Sequence, residues 1–172
     1  MRLLRQGKFV SAIELVREAL LQATDGGKPA KLIELASAWS IPPQSMRRYA
    51  KGRPINATDY LKICGAIGHD PVTGGSGSLQ QRIGDIDWRF IALALHGQRM
   101  LRGQTVRSAC KAIGGISSAT ICRLEAGREC TIEHFLAICR YVGKHPYDVI
   151  PPVSHVKPAV KHVDRVGEKV TA

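Results

Sequence analysis

A dense cluster of cationic side chains is the sequence feature with the clearest chemical meaning. Arg47, Arg48, Lys51 and Arg53 lie within seven residues that contain no acidic side chain. The arginine guanidinium is a rigid fork of N–H donors that matches a phosphate or the edge of guanine, and the amide of nearby Gln44 matches adenine. The cluster therefore predicts a polyanionic partner.

The cysteines and histidines offer weaker chemistry. Five cysteines without a CxxC pair fit a reduced cytosolic protein better than a disulfide framework. Cys64 and Cys139 fall on apolar helix faces and are expected to be buried, whereas Cys122 is the candidate for an exposed, redox-sensitive thiol. Cys122, Cys130, His134 and Cys139 match no standard zinc spacing. Because GxSxG, P-loop and HExxH motifs are also missing, the sequence predicts no metal, no cofactor and no enzyme.

The overall charge agrees with the cluster. The 172 residues include 25 Lys+Arg and 14 Asp+Glu, for a net charge of +11, which is typical of proteins that bind nucleic acid or an acidic membrane surface. The longest apolar run, residues 90–95, is far shorter than the ~20 residues of a spanning helix. The first residues lack the apolar core of a signal peptide. We therefore expect a cytoplasmic protein that does not bind membranes.

The sequence contains two copies of one unit. An offset of 75 residues aligns 41–71 with 116–146 without a gap, and an inserted glycine at Gly114-Gly115 changes the offset to 74 upstream. The identical pairs are Ile41/Ile116, Arg48/Arg123, Gly52/Gly127, Arg53/Arg128, Leu61/Leu136, Ile63/Ile138, Cys64/Cys139, Gly68/Gly143 and Pro71/Pro146.

The apolar periodicity predicts short helices in both units and no sheet. The expected helices are 11–23, 31–39, 44–50 and 58–67, then 86–100, 105–113, 118–126 and 132–142. The domain prediction is a first unit at 1–71, a Gly/Ser linker at 72–85, a second unit at 86–150, and an extended or disordered basic tail at 151–172.

The segments 31–52 and 105–127 resemble the helix-turn-helix of the phage-repressor or Cro-like (XRE-type) family. In each, a small residue, Ala36 or Cys110, is expected to let two helices approach closely. The resemblance covers residues 11–71 and 86–150. It implies an all-α fold of two tandem lambda-repressor-like five-helix domains, and a bacterial or phage transcriptional regulator that binds double-stranded DNA.

In this motif apolar residues fix the second helix to the core, and the opposite side meets DNA. The expected core residues are Ile41, Met46 and Tyr49, with Ile116, Ile121 and Leu124 in the second copy. By the resemblance, base edges are read from Pro43, Gln44, Arg47 and Arg48, and from Ser118, Ala119, Cys122 and Arg123. The same surface includes Ser45, Lys51 and Thr120. Phosphate contacts are expected at Arg53, Arg128, Lys31, Gln104 and Thr105.

The two copies differ in scaffold and in charge. The resemblance implies a buried ion pair between Arg99 and Glu125 that the first copy lacks, because Asp25 and Ala50 stand at the aligned positions. The first copy also begins its second helix at Pro42-Pro43, without a capping Ser or Thr. The first copy is therefore expected to supply more of the electrostatic affinity, although its scaffold is poorer.

These features predict a nucleoid-associated regulator whose two unlike reading surfaces enter successive major grooves. One chain then covers an asymmetric pair of half-sites, and a homodimer would present four such helices. A regulatory protein partner is also compatible with the sequence. Two alternatives stay open: a protein-interaction module, such as an antitoxin or anti-activator, that keeps the fold without reading DNA, and a nonspecific nucleoid or RNA-binding protein.

Overall fold

A computed structural model describes residues 11–76 and 85–150, and the regular structure within these ranges is helical throughout. The helices are α1 (Ala12–Ala23), α2 (Pro29–Ala38), α3 (Pro43–Ala50), α4 (Ala57–Ile67), α5 (Trp88–Leu101), α6 (Val106–Ile113), α7 (Ser118–Glu125) and α8 (Ile132–Val142), followed by a short 3₁₀ helix, Pro146–Val149. The predicted all-α class is confirmed. The predicted tail and most of the predicted linker lie outside the described residues.

The duplication is visible in the element boundaries. Helices α3 and α7 begin 75 residues apart and have equal lengths, and the same holds for α4 and α8. The described part of each unit contains four α-helices, and only the second adds the 3₁₀ helix. The second unit therefore has five helices when the 3₁₀ helix is counted, whereas the described part of the first unit has four, because the chain after α4 forms a turn.

The predicted core residues fix α3 and α7. Ile41, Met46 and Tyr49 are buried, as are Ile116, Ile121 and Leu124. Tyr49 packs edge-on against the ring of Tyr60, and its hydroxyl donates to the Ile13 carbonyl at 2.6 Å. Burial raises the pKa of Tyr49 well above its ordinary value, and the charge of Arg17 offsets only part of this effect. Tyr49 thus contacts both α1 and α4 from α3, and its buried hydroxyl has a hydrogen-bond partner.

Small residues occupy the inner side of α6, as they do in α2. Ala109 is fully buried, whereas Cys110 is only partly buried and its Sγ lies 3.5 Å from the Ser118 hydroxyl. In the first unit Ala36 is fully buried as predicted.

The ion pair expected in the second unit is present. Arg99 donates to Glu125 through Nε at 2.8 Å and through Nη2 at 3.1 Å, and its Nη1 donates to the Gln104 carbonyl at 3.1 Å. Both side chains are largely buried, between α5 and α7. The hydrogen bonds from Arg99 hold the pKa of Glu125 below its ordinary value.

The first unit replaces this pair with a neutral contact. Leu20 and Thr24 take the buried positions that Leu95 and Arg99 take in the second unit, so Thr24, and not Asp25, is the structural counterpart of Arg99. The Thr24 hydroxyl is fully buried and donates to the Leu20 carbonyl at 2.8 Å. The first unit therefore lacks the ion pair, as predicted. The polar group at this position, the Thr24 hydroxyl, is hydrogen-bonded within its own helix.

The two units pack directly on each other through α4 and α8. The Ala57 N–H donates to the Cys130 carbonyl, and the Ile132 N–H donates to the Ile55 carbonyl, each at 3.2 Å. Ala57 and Ile132 are equivalent in the repeat, as are Ile55 and Cys130, so exchanging the two units turns one bond into the other, and Asn56 lies opposite Thr131. The contact therefore has the reciprocal form of a two-fold interface, although it lies within one chain.

Residues of the predicted linker add to this arrangement. The turn at 70–76 is closed by the Asp70 carboxylate, which accepts from the Thr73 N–H at 2.7 Å, and by a 2.8 Å bond from the Gly74 N–H to the Asp70 carbonyl. Gly74 has a φ of +68° and rests on Ala12, where a Cβ would approach within 2.9 Å. The first part of the linker is therefore packed on α1.

An engineered disulfide tests the pairing of the units. Asn56 and Thr131 form a non-hydrogen-bonded antiparallel pair, whose Cα atoms are about 4.5 Å apart, within the range of a disulfide. We expect the double variant Asn56→Cys/Thr131→Cys, in a Cys122→Ser background, to form this crosslink on mild oxidation. Intact-mass and peptide mapping would detect it, with each single variant as the control. Failure to crosslink would contradict the pairing.

Among the described helices, none is both long and apolar enough to cross a membrane.

Candidate nucleic-acid interface

The cationic cluster of the first unit is fully accessible. Arg47, Arg48, Lys51 and Arg53 are all exposed, and none of them forms an ion pair with another described residue. Pro43 and Gln44, at the start of α3, are exposed as well, and Ser45 is half-buried. The N-cap of α3 is Pro42, which makes no side-chain cap bond, as the sequence predicts. The helix therefore owes its position to the buried Met46 and Tyr49.

The matching surface of the second unit is less charged. Ser118, Ala119, Cys122, Arg123 and Arg128 are exposed along and just beyond α7. Position 122 is a thiol where the first unit has an arginine, and position 126 is alanine where it has a lysine. The first unit therefore exposes more cationic side chains at this surface than the second unit does.

Thr120 corrects the predicted contact surface. Its side chain is 6% exposed, and its hydroxyl lies 2.9 Å from that of Ser117, the N-cap of α7. The Ser117 hydroxyl also accepts from the Thr120 N–H at 3.1 Å. Because this pair satisfies the helix N-terminus, Thr120 has a supporting role in α7.

Three residues that are expected to contact phosphates, near the start of α2 and of α6, form hydrogen bonds or ion pairs with other residues of the chain. Lys31 is exposed but lies 2.6 Å from the Asp25 carboxylate, which lowers the pKa of Asp25. Gln104 is half-buried, and its Oε1 accepts from the Tyr141 hydroxyl at 2.6 Å. Thr105 is the N-cap of α6 and accepts from the Ser108 N–H at 3.2 Å. These residues therefore have structural roles that compete with a phosphate.

A groove between the two units was not visible in the sequence. It has a volume of about 420 Å³, and its walls come from the ends of α3 and α7 and from the paired segments. The lining residues are Ser45, Arg48, Pro54, Ile55, Asn56, Thr120, Arg123, Leu124, Glu129, Cys130, Thr131 and His134. Arg48 and Arg123, which are equivalent in the repeat, therefore stand on opposite sides of one cleft.

The lining residues of the groove are mostly equivalent pairs of the repeat, but their charges differ. Its exposed acid, Glu129, stands where the first unit has Pro54. Cys130 is largely buried, and burial raises its pKa to about 12, so this thiol is protonated at neutral pH. The groove therefore combines two guanidinium groups with one carboxylate and no thiolate.

The other cysteines give the interface no metal or disulfide chemistry. All five cysteines are free thiols; Cys64 and Cys139 are buried as predicted, and Cys122 is exposed on α7. In the described parts of the chain, no three His, Cys, Asp or Glu side chains are grouped to hold a metal ion. The arrangement offers hydrogen-bond donors and positive charge, which suit binding to an anionic surface.

Comparison with protein-family models, with curated proteins and with solved structures finds no match. The functional assignment therefore depends on the geometry and charge of this chain alone.

Proposed function

We propose that the chain is a sequence-specific DNA-binding transcriptional regulator built from two tandem lambda-repressor-like helix-turn-helix units. The motifs are α2–α3 in the first unit and α6–α7 in the second. In this proposal α3 and α7 are the recognition helices, and each enters a major groove of the same duplex. The protein works in the cytoplasm, at the nucleoid.

One observation carries the proposal. Arg48 and Arg123 are exposed at equivalent positions of α3 and α7, and both face the groove that runs between the reciprocally paired units. A two-fold arrangement of equivalent basic helices matches the local two-fold symmetry of duplex DNA. A generally basic surface would not require cations at matching positions of two copies.

The remaining cations divide into two roles. Arg47 and Arg48 project from the recognition helix, where a guanidinium can bond two acceptors of guanine. Arg53 and Arg128 lie just beyond the helices, where they would contact phosphates and hold the register. Occupancy of the site then blocks or recruits RNA polymerase.

A salt series tests the proposal directly. Full-length protein is titrated against a genomic duplex library and against a selected fragment, at several salt concentrations from ~50 mM upwards. We expect log affinity to fall linearly with log salt, with a slope of about −0.9 for each phosphate neutralised. The selected fragment should retain its advantage over the library at every salt concentration.

The control is the charge-reversed variant Arg47→Glu/Arg53→Glu, whose two sites are exposed, so that the fold is preserved. It should bind more weakly and with a shallower slope. Absence of duplex binding at ~50 mM salt would overturn the proposal. Equal affinity for all fragments would instead support the nonspecific nucleoid-binding alternative.

A second candidate function is a protein-interaction module that does not read DNA. It is favoured by exposed apolar side chains that follow one side of α5: Phe90, Leu93, Met100 and Leu101. Leu93 and Leu101 are 73% and 86% exposed, which is unusual for leucines on one helix. Under this alternative, the variant Arg47→Glu/Arg53→Glu binds the partner protein as the wild type does, and Leu93→Lys abolishes that binding.

A further inference from the structure

The recognition helices have inner and outer positions relative to the interface between the units. Arg48 and Arg123 line the groove that separates the units, and they are identical. The exposed residues of α3 and α7 that do not line it form three unlike pairs in the repeat. These outer pairs are Pro43/Ser118, Gln44/Ala119 and Arg47/Cys122.

Among the exposed positions of α3 and α7, the pair that lines the groove is therefore identical, and the pairs outside the groove are unlike. The reciprocal hydrogen bonds at Asn56 and Thr131 place the local two-fold axis between them. Equivalent residues lie at equal distances from such an axis. Two identical side chains close to the axis therefore contact base pairs that the axis relates to each other. Unlike side chains farther from the axis contact base pairs that can differ between the two sides.

The unlike pairs also differ in the bases they can recognise. Gln44 can bond both edge atoms of adenine, and Arg47 both acceptors of guanine. Ala119 can make only an apolar contact, which suits the methyl group of thymine, and Cys122 has at most a weak donor. The first unit therefore reads outer bases by hydrogen bonds, and the second reads them weakly.

On the basis of the proposed function, we propose that one chain binds one duplex site of graded symmetry. The inner base pairs of that site form an inverted repeat with guanine opposite Arg48 and Arg123. The outer base pairs are asymmetric, with a strong preference on the first-unit side and a weak one on the other. The chain is thus a covalent pseudo-dimer, and its site has a single orientation.

The charge difference supports that orientation. The positions of Arg47 and Lys51 in the first unit are occupied by Cys122 and Ala126 in the second, so the first unit presents two more cations on and just beyond its recognition helix. All four positions are exposed. The first unit therefore supplies both the stronger phosphate contacts and the stronger outer base readers. For this reason the chain binds an asymmetric site in one orientation.

Selection from random duplexes with the full chain tests the inference. We expect a consensus whose inner positions are inverted and whose outer positions are conserved on one side, and a stoichiometry of one chain per site by native mass spectrometry. The double variant Ala119→Gln/Cys122→Arg copies the outer readers of α3 onto α7. Because both side chains are exposed, the fold should be unaffected. It should select a site whose outer base pairs become symmetric where residues 119 and 122 read them, with a roughly 5- to 150-fold gain at each restored base.

The matched control is Ala126→Lys, which adds one exposed cation to the second unit without adding a base reader. It should raise affinity for all sequences and leave the selected consensus unchanged. The inference is overturned by two chains per site, by a wild-type consensus that is symmetric throughout, or by a double variant whose consensus equals the wild-type one. Failure to enrich any sequence would instead reject the proposed function itself.

Discussion

Replacement of Glu125 by alanine is expected to lower the free energy of unfolding by about 2–4 kcal/mol. The substitution removes two hydrogen bonds from a guanidinium that remains largely buried between α5 and α7. Arg99 keeps the Gln104 carbonyl, and its Nη2 lies 3.2 Å from His96 Nδ1, so part of its bonding survives. Chemical denaturation of the full chain measures the change.

The stability lost in Glu125→Ala should be larger at neutral pH than at acidic pH. The pKa of Glu125 is lowered in the folded chain, chiefly by the hydrogen bonds from Arg99. A depressed carboxyl pKa stabilises the fold above the unfolded value of about 4.3, and this contribution disappears as pH falls through the folded pKa. The wild type and Glu125→Ala should therefore differ at pH 7 and converge below the ordinary carboxylate range.

Two further variants separate a lost pair from a general packing defect. The double variant Arg99→Met/Glu125→Leu replaces both charges with apolar side chains and should recover much of the stability. Ala50→Glu places a carboxylate at the equivalent position of the first unit, where Thr24 offers no countercharge, and should not stabilise it. Equal melting temperatures for wild type and Glu125→Ala would show that the pair contributes nothing.

The double variant Arg48→Ala/Arg123→Ala is expected to lose about 2–6 kcal/mol of discrimination between the selected site and random duplex. Each guanidinium that bonds a guanine contributes about 1–3 kcal/mol, and the two face the same groove. Loss of base readout should appear as a smaller ratio of specific to nonspecific affinity.

Arg53→Ala/Arg128→Ala is the matched control, because it removes the same number of exposed arginines from equivalent positions outside α3 and α7. It should weaken binding to all sequences by a similar factor and reduce the salt slope by about 2. If the two double variants behave alike, Arg48 and Arg123 contact phosphates only, and their assignment as base readers is wrong.

The fold was predictable where local sequence and burial determine it. The boundaries of α3, α4, α7 and α8 follow from apolar periodicity, and the ion pair of Arg99 with Glu125 follows from the family resemblance. Side-chain roles that depend on hydrogen bonds could not be read from apolar periodicity. Thr120 is buried and bonds the nearby Ser117 hydroxyl, and Gln104 accepts from Tyr141, 37 residues along the chain. Apolar periodicity carries no signal for either hydrogen bond.

By itself, the sequence determined that the chain is helical, that it is duplicated, and that cations recur at matching positions of the two copies. These properties depend on spacing along the chain, and the same residues form the same local structure twice. Only the tertiary structure decided that the copies face each other across the strand-like pairing of Asn56 and Thr131. That pairing is made by backbone hydrogen bonds between segments 75 residues apart, which no side-chain pattern specifies, and it brings Arg48 and Arg123 to one groove.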